Sequence, residues 1–258
     1  MKKYPRLSDL NSRYQEEVPA SRGLFPALFF MGLVFVLAWV LERSGLGVQA
    51  LIFLKKRYFV FTQEPVLVWQ IYIFLQTFVL KLGVVLLLLG YLRAVKTPLL
   101  AALGLDQPGK LSWRFYGFFF IFSVVIGVVS GLDPLAPAFP MHSFFGDALV
   151  WGNIAAVFSM VVVAPIAEEI FFRGFLYPAL NRAFGFIGAL VTVSLLFAAA
   201  HWRPDVEIST LAVIFAGSVW LTLARVLTRS TWVSIRLHAL YNATILIVGV
   251  LRYVLLGY

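Results

Sequence analysis

Long apolar runs separated by short polar, mostly basic connections set the pattern of this chain. A helix that spans a bilayer needs about twenty mostly apolar residues. Seven stretches meet or approach that length: Leu24 to Leu41, Val66 to Tyr91 (broken only by Lys81), Phe115 to Leu132, Ala148 to about Leu176, Phe184 to Ala200, Ile208 to Ala224, and Thr231 to Leu251. No water satisfies backbone groups in hydrocarbon, and the runs lack the alternation of a barrel strand, so they read as helices. The stretch Val48 to Phe61 carries Lys55, Lys56 and Arg57 among aromatic and aliphatic residues and reads as an interfacial helix, an eighth element. The expected fold is all-α, a polytopic transmembrane bundle of seven to eight helices.

Composition agrees with this pattern. Of 258 residues, 61% are hydrophobic and 13% charged, against roughly 45–50% and about 25% in soluble domains. We expect one membrane domain, divided into a polar tail at 1–23, N-terminal transmembrane helices at 24–147 and C-terminal helices at 148–258. The tail has no short apolar core with a small-residue cleavage site and reads as a tail, not as a signal peptide. The net charge of +9 would raise the question of nucleic acid in a soluble protein. Here the basic residues lie between apolar runs, where they set orientation, and no nucleic-acid partner is expected. With the N-terminus cytoplasmic, thirteen Lys and Arg fall inside and six outside, four of the six in or beside Val48 to Phe61. The expected location is therefore the cell (inner) membrane with a cytoplasmic N-terminus, and Gly131 to Asp147, which has no Lys or Arg, is the clearest outward loop. The absence of cysteine removes disulfides, thiol nucleophiles and cysteine zinc sites.

Charged groups at membrane depth cost at least a few kcal/mol each and usually mark function. The sequence Ala167-Glu168-Glu169-Ile170-Phe171-Phe172-Arg173-Gly174 places two acids and an arginine at the end of an apolar run. Glu169 and Arg173 are four apart and share a helix face, so they are expected to form an ion pair, while Glu168 points about 100° away. One arginine offsets one acid, which leaves Glu168 without a partner on its own helix. Phe197 and His201 share a face of the next span, and His238 and Asn242 share a face of the last. A carboxylate, two imidazoles and a carboxamide suffice for an acid/base or metal site that attacks a carbonyl with water. His201 also suits a plain interfacial anchor beside Trp202 and Arg203, and His142 reads as an exposed loop residue. The sequon at Asn242 lies inside a span and is not an acceptor site. Lys81 is given no role.

Three motifs, Glu-Glu-x-x-Phe-Arg-Gly at 168–174, Phe-x-x-x-His at 197–201 and His-x-x-x-Asn at 238–242, occur in order on three late spans. Together they resemble the signature of the intramembrane proteases related to the CAAX prenyl endopeptidase, the CPBP or Abi family. The resemblance covers about Ala148 to Val248. It implies eight helices around an intramembrane cavity, with Glu168 and His201 activating water, Glu169 and Arg173 supporting the helix, and His238 and Asn242 stabilising the oxyanion. A metal-free glutamate mechanism is favoured, with zinc held by Glu168, His201 and His238 left open. The expected substrate is a membrane protein or lipid-anchored peptide; prenylated tails are the family precedent, while other tails or anchors suit bacterial relatives. The alternatives are a catalytically silent scaffold or bacteriocin-immunity-type protein, or a small transporter, for which the inverted repeats are missing.

Overall fold

A computed structural model of the chain describes residues 23–43, 81–130, 150–202 and 206–256. The tail, the interfacial helix expected at Val48 to Phe61, most of the first part of the second span, and the Gly131–Asp147 loop with His142 lie outside these residues. The described residues are all-α. They form α1 Leu24–Arg43, α2 Leu82–Ala94, α3 Leu99–Leu103, α4 Trp113–Ser130, α5 Val150–Phe158, the π-helical segment π1 Ser159–Val163, α6 Ala164–Glu169, a second π-helical segment π2 Ile170–Leu176, α7 Tyr177–Ala199, α8 Ile208–Thr228 and α9 Thr231–Leu256.

Three of these helical stretches, Ile154–Ala199, Ile208–Thr228 and Thr231–Arg252, are long and apolar enough to cross a membrane. The first has 46 residues, about 69 Å as a straight helix, more than twice the roughly 30 Å of a hydrocarbon core. Gly185 resolves the excess. Its φ of 67° and ψ of −179° lie in a region that essentially only glycine adopts, and they break the helix there. The fourth and fifth apolar runs thus form two arms joined by a corner. The sequence pattern read residues 177–183 as a connection; they are helical and buried as far as Asn181.

Side-chain placement is that of a protein solvated by lipid. Large apolar residues face outward, with Phe25 82% and Ile208 81% exposed, while Glu169 and Arg173 are fully buried. One apolar cluster joins Phe30 and Met31 of α1, Leu88 and Leu92 of α2, Leu103 of α3 and Phe171 and Phe175 of π2. A second joins Phe119 of α4 to Leu221 of α8 and Leu237 of α9. Between them, α9 packs against π1 and α6, and α7 packs against α8. The charged segment of the chain is therefore enclosed by helices on several sides.

One end of the bundle is tied by hydrogen bonds between the α3–α4 connection and the start of α9. Thr231 N donates to the Gly104 carbonyl at 2.8 Å, Trp232 Nε1 to Leu105 O at 3.0 Å, and Ser230 Oγ to Gln107 O at 2.6 Å. Gly174 sits at the same end. A Cβ there would lie 3.1 Å from the Leu103 carbonyl oxygen and 3.4 Å from its side chain, so the glycine of the first motif lets α3 approach π2 closely.

Candidate active site

The site is built on the short helix α6, between two π-helical segments. In π1 the Ala164 N–H bonds the Ser159 carbonyl five residues back. The next amide in that register belongs to Pro165, which has no N–H to offer. The Met160 carbonyl is instead taken by Asn242 of α9, whose Nδ2 donates to it at 2.8 Å. Wide π turns recur at functional sites. Here they flank α6, which ends in two consecutive buried acids, Glu168 and Glu169.

Glu169 and Arg173 form the expected pair, with Arg173 Nη1 donating to Glu169 Oε1 at 2.8 Å and both side chains fully buried. Arg173 Nη2 also donates to Ser218 Oγ at 2.6 Å and Ser218 O at 3.1 Å, and Nε to Thr222 Oγ1 at 3.4 Å. Its guanidinium lies 4.4 Å from the centre of the Phe197 ring. A guanidinium out of water needs acceptors, and four of its five N–H groups find them here. His238 completes the cluster, its Nδ1 lying 2.9 Å from Glu169 Oε1.

Glu168, left by the sequence reading without a partner on its own helix, finds one on another. Lys81, at the start of α2, forms an ion pair with Glu168 Oε1. The other oxygen, Oε2, is buried without a hydrogen-bond partner. It lies 3.9 Å from Nε2 of His201 and 3.9 Å from Nε2 of His238, too far for a direct hydrogen bond and suited to a bridging water.

The partners of the two histidines fix their tautomers. His201 Nδ1 is 2.8 Å from the Phe197 carbonyl, and a carbonyl only accepts, so Nδ1 carries the hydrogen. His238 Nδ1 faces the Glu169 carboxylate, with the same consequence. In their neutral forms both imidazoles therefore present an Nε2 lone pair toward Glu168 Oε2. Three acceptors converge on one small volume.

Glu168, Glu169, Arg173, His201 and His238 are thus brought together, while Asn242, one turn beyond His238, is turned to π1. Lys81, noted in the sequence but given no role, joins the site, as do Ser218, Thr222 and the Met160 carbonyl, which the sequence reading did not single out. Ser218 and Thr222 could have been found as a polar pair four residues apart in an apolar run. Lys81 was visible as a lone cation inside an apolar run, and the rule that intramembrane charges mark function could have given it a role.

Residues 150–244 match the family described as Type II CAAX prenyl endopeptidase Rce1-like. The match contains all three motifs and bears out the resemblance on which they were read. It supports a CAAX-type intramembrane protease role, and with the three apolar spans it makes this a membrane protein. The chain is also similar to an Uncharacterized 24.3 kDa protein of Escherichia coli, 28% identical over 189 residues, covering 71% of this chain and 77% of that protein. No solved structure matches the chain.

Proposed function

We propose that the protein is an intramembrane endopeptidase in which Glu168 is the general base for a water molecule held between Glu168 Oε2 and His201 Nε2. The observation that carries this reading is the buried, unpartnered Oε2, 3.9 Å from two imidazole Nε2 atoms whose other nitrogens are engaged. A water in that gap gives one hydrogen to Glu168 and the other to His201, leaving an oxygen lone pair for a peptide carbonyl. As the C–O bond forms, the first proton passes to Glu168 and the carbonyl oxygen becomes anionic. Glu168 then returns that proton to the departing amine, the C–N bond breaks, and the products are a carboxylic acid and an amine.

For the oxyanion, Asn242 retains its second N–H, since only one is used on Met160. His238 donates at Nε2 only when doubly protonated, with Glu169 as its counter-ion; its neutral form offers a lone pair there. Losing one such donor typically costs about 100- to 1,000-fold in rate.

Zinc would be held by Glu168, His201 and His238, and would supply a metal-polarised water. Two observations support the metal-free form. The 3.9 Å from Glu168 Oε2 to each Nε2 exceeds the roughly 3.4 Å between ligands of a tetrahedral zinc. The Lys81 ammonium already lies against the same carboxylate.

The substrate we propose is a membrane-anchored or lipidated tail, by similarity to the family named above. The tie between 104–107 and 230–232 puts both segments on one side of the membrane, and the proposal that this side is the cytoplasm rests on the Lys and Arg count. The test is to offer the purified chain a prenylated tail peptide of the CAAX type and an unprenylated anchored peptide in heavy-oxygen water. One cut, with the heavy oxygen in the new carboxylate, is expected. Enzyme stripped by a strong chelator, and shown metal-free by elemental analysis, is expected to keep cleaving. Loss of activity restored specifically by zinc contradicts the metal-free form, and no cut of either peptide contradicts the substrate class.

A further inference from the structure

We propose that Lys81 is a positioning residue of this site, holding Glu168 Oε1 so that Oε2 faces the two imidazoles. Its kinetic consequence rests on the endopeptidase reading; the ion pair does not. A carboxylate attached through one torsion has two oxygens that exchange places by rotation. Here they are unequal: Oε1 is taken by Lys81, and Oε2 looks toward His201 and His238.

The neighbouring acid shows why the second cation is needed. Glu169 is matched by Arg173 from its own helix, and four of the five Arg173 N–H groups are already taken by Ser218, Thr222 and Glu169. Burial of a second adjacent carboxylate requires a second cation, because an unpaired charge in a low dielectric is strongly unfavourable. Lys81 supplies it from 87 residues away in sequence. Its side chain is 28% exposed, so it reaches in from the rim, where Arg173 is sealed. Residue 81 lies outside the segment 150–244 that matches the family. The N-terminal helices therefore contribute a residue to the site and are more than a scaffold for it.

The test uses the purified full chain in detergent with the prenylated tail peptide. Lys81→Met keeps the stem and removes the charge; it is expected to lower kcat by about 10- to 100-fold, as displacement of a reacting group does. KM is expected to stay within about twofold of wild type, since uniform binding is untouched. Lys81→Arg keeps the charge and is expected to recover most of the loss. Lys81→Met turning over at the wild-type rate while Glu168→Gln is inactive overturns the proposal and leaves the endopeptidase reading standing. A change confined to KM also overturns it.

A second measurement does not depend on turnover. Acylation of Lys81 by an amine reagent, read by peptide mass spectrometry, is expected to be several-fold slower in wild type than in folded Glu168→Ala. Equal rates mean that the ion pair is absent and overturn the proposal. This measurement also decides the case in which Lys81→Met does not fold.

Discussion

Arg173 shows how much of this protein depends on single buried charges. Its guanidinium is fully enclosed and its donors go to Glu169, Ser218 and Thr222. Removing it leaves the Glu169 carboxylate facing only His238, a loss of order 3–5 kcal/mol for a broken buried pair. Arg173→Ala is therefore expected to unfold in detergent well below wild type, and Glu169→Gln likewise, both with reduced turnover. Unfolding of Arg173→Ala at the wild-type temperature contradicts the pairing. This pair was legible in the sequence because four-residue spacing on one helix is a local geometric fact. The Lys81–Glu168 pair was not, since only tertiary packing brings those two residues together. The tautomers of His201 and His238 were equally out of reach, because they follow from a backbone carbonyl and a second carboxylate rather than from spacing.

At the scale of elements, hydropathy located the long helices among the described residues and missed how they join. The ends of α8 and α9 run four and five residues beyond the apolar runs, to Thr228 and Leu256, because a helix continues past the hydrocarbon edge wherever its backbone stays bonded. The π-helical segments left no periodic signature; Pro165 is the one local sign, since it withholds the amide that π1 would use next. Gly174 has a use visible only in the packing, the close approach of Leu103 on α3. Gly174→Val is expected to destabilise the protein by about 1–3 kcal/mol, the usual cost of overfilling a packed contact. The effect is read as a lowered unfolding temperature, and trimming Leu103 to alanine is not expected to relieve it, since the Leu103 carbonyl oxygen and Cβ that lie nearest remain. An unchanged unfolding temperature for Gly174→Val means that α3 does not press on π2.

For the whole molecule, the outward apolar surface and the buried polar cluster have one explanation, a bundle dissolved in lipid around a charged site. The composition made the membrane assignment legible, and the three motifs made most of the site legible. The contribution of the N-terminal half was not, because its polar signal is one lysine in an apolar run. The central claim is that Glu168 Oε2 activates the attacking water, and Glu168→Gln tests it most directly. The amide keeps the shape, and its carbonyl oxygen still accepts from Lys81, so the fold is expected to survive. It cannot take a proton from water. Purified Glu168→Gln, with the unfolding temperature of wild type, is predicted to lose roughly 100-fold or more of turnover on the peptide that the wild type cleaves. Turnover above about a tenth of wild type would contradict the account, since a general base cannot be removed at so small a cost.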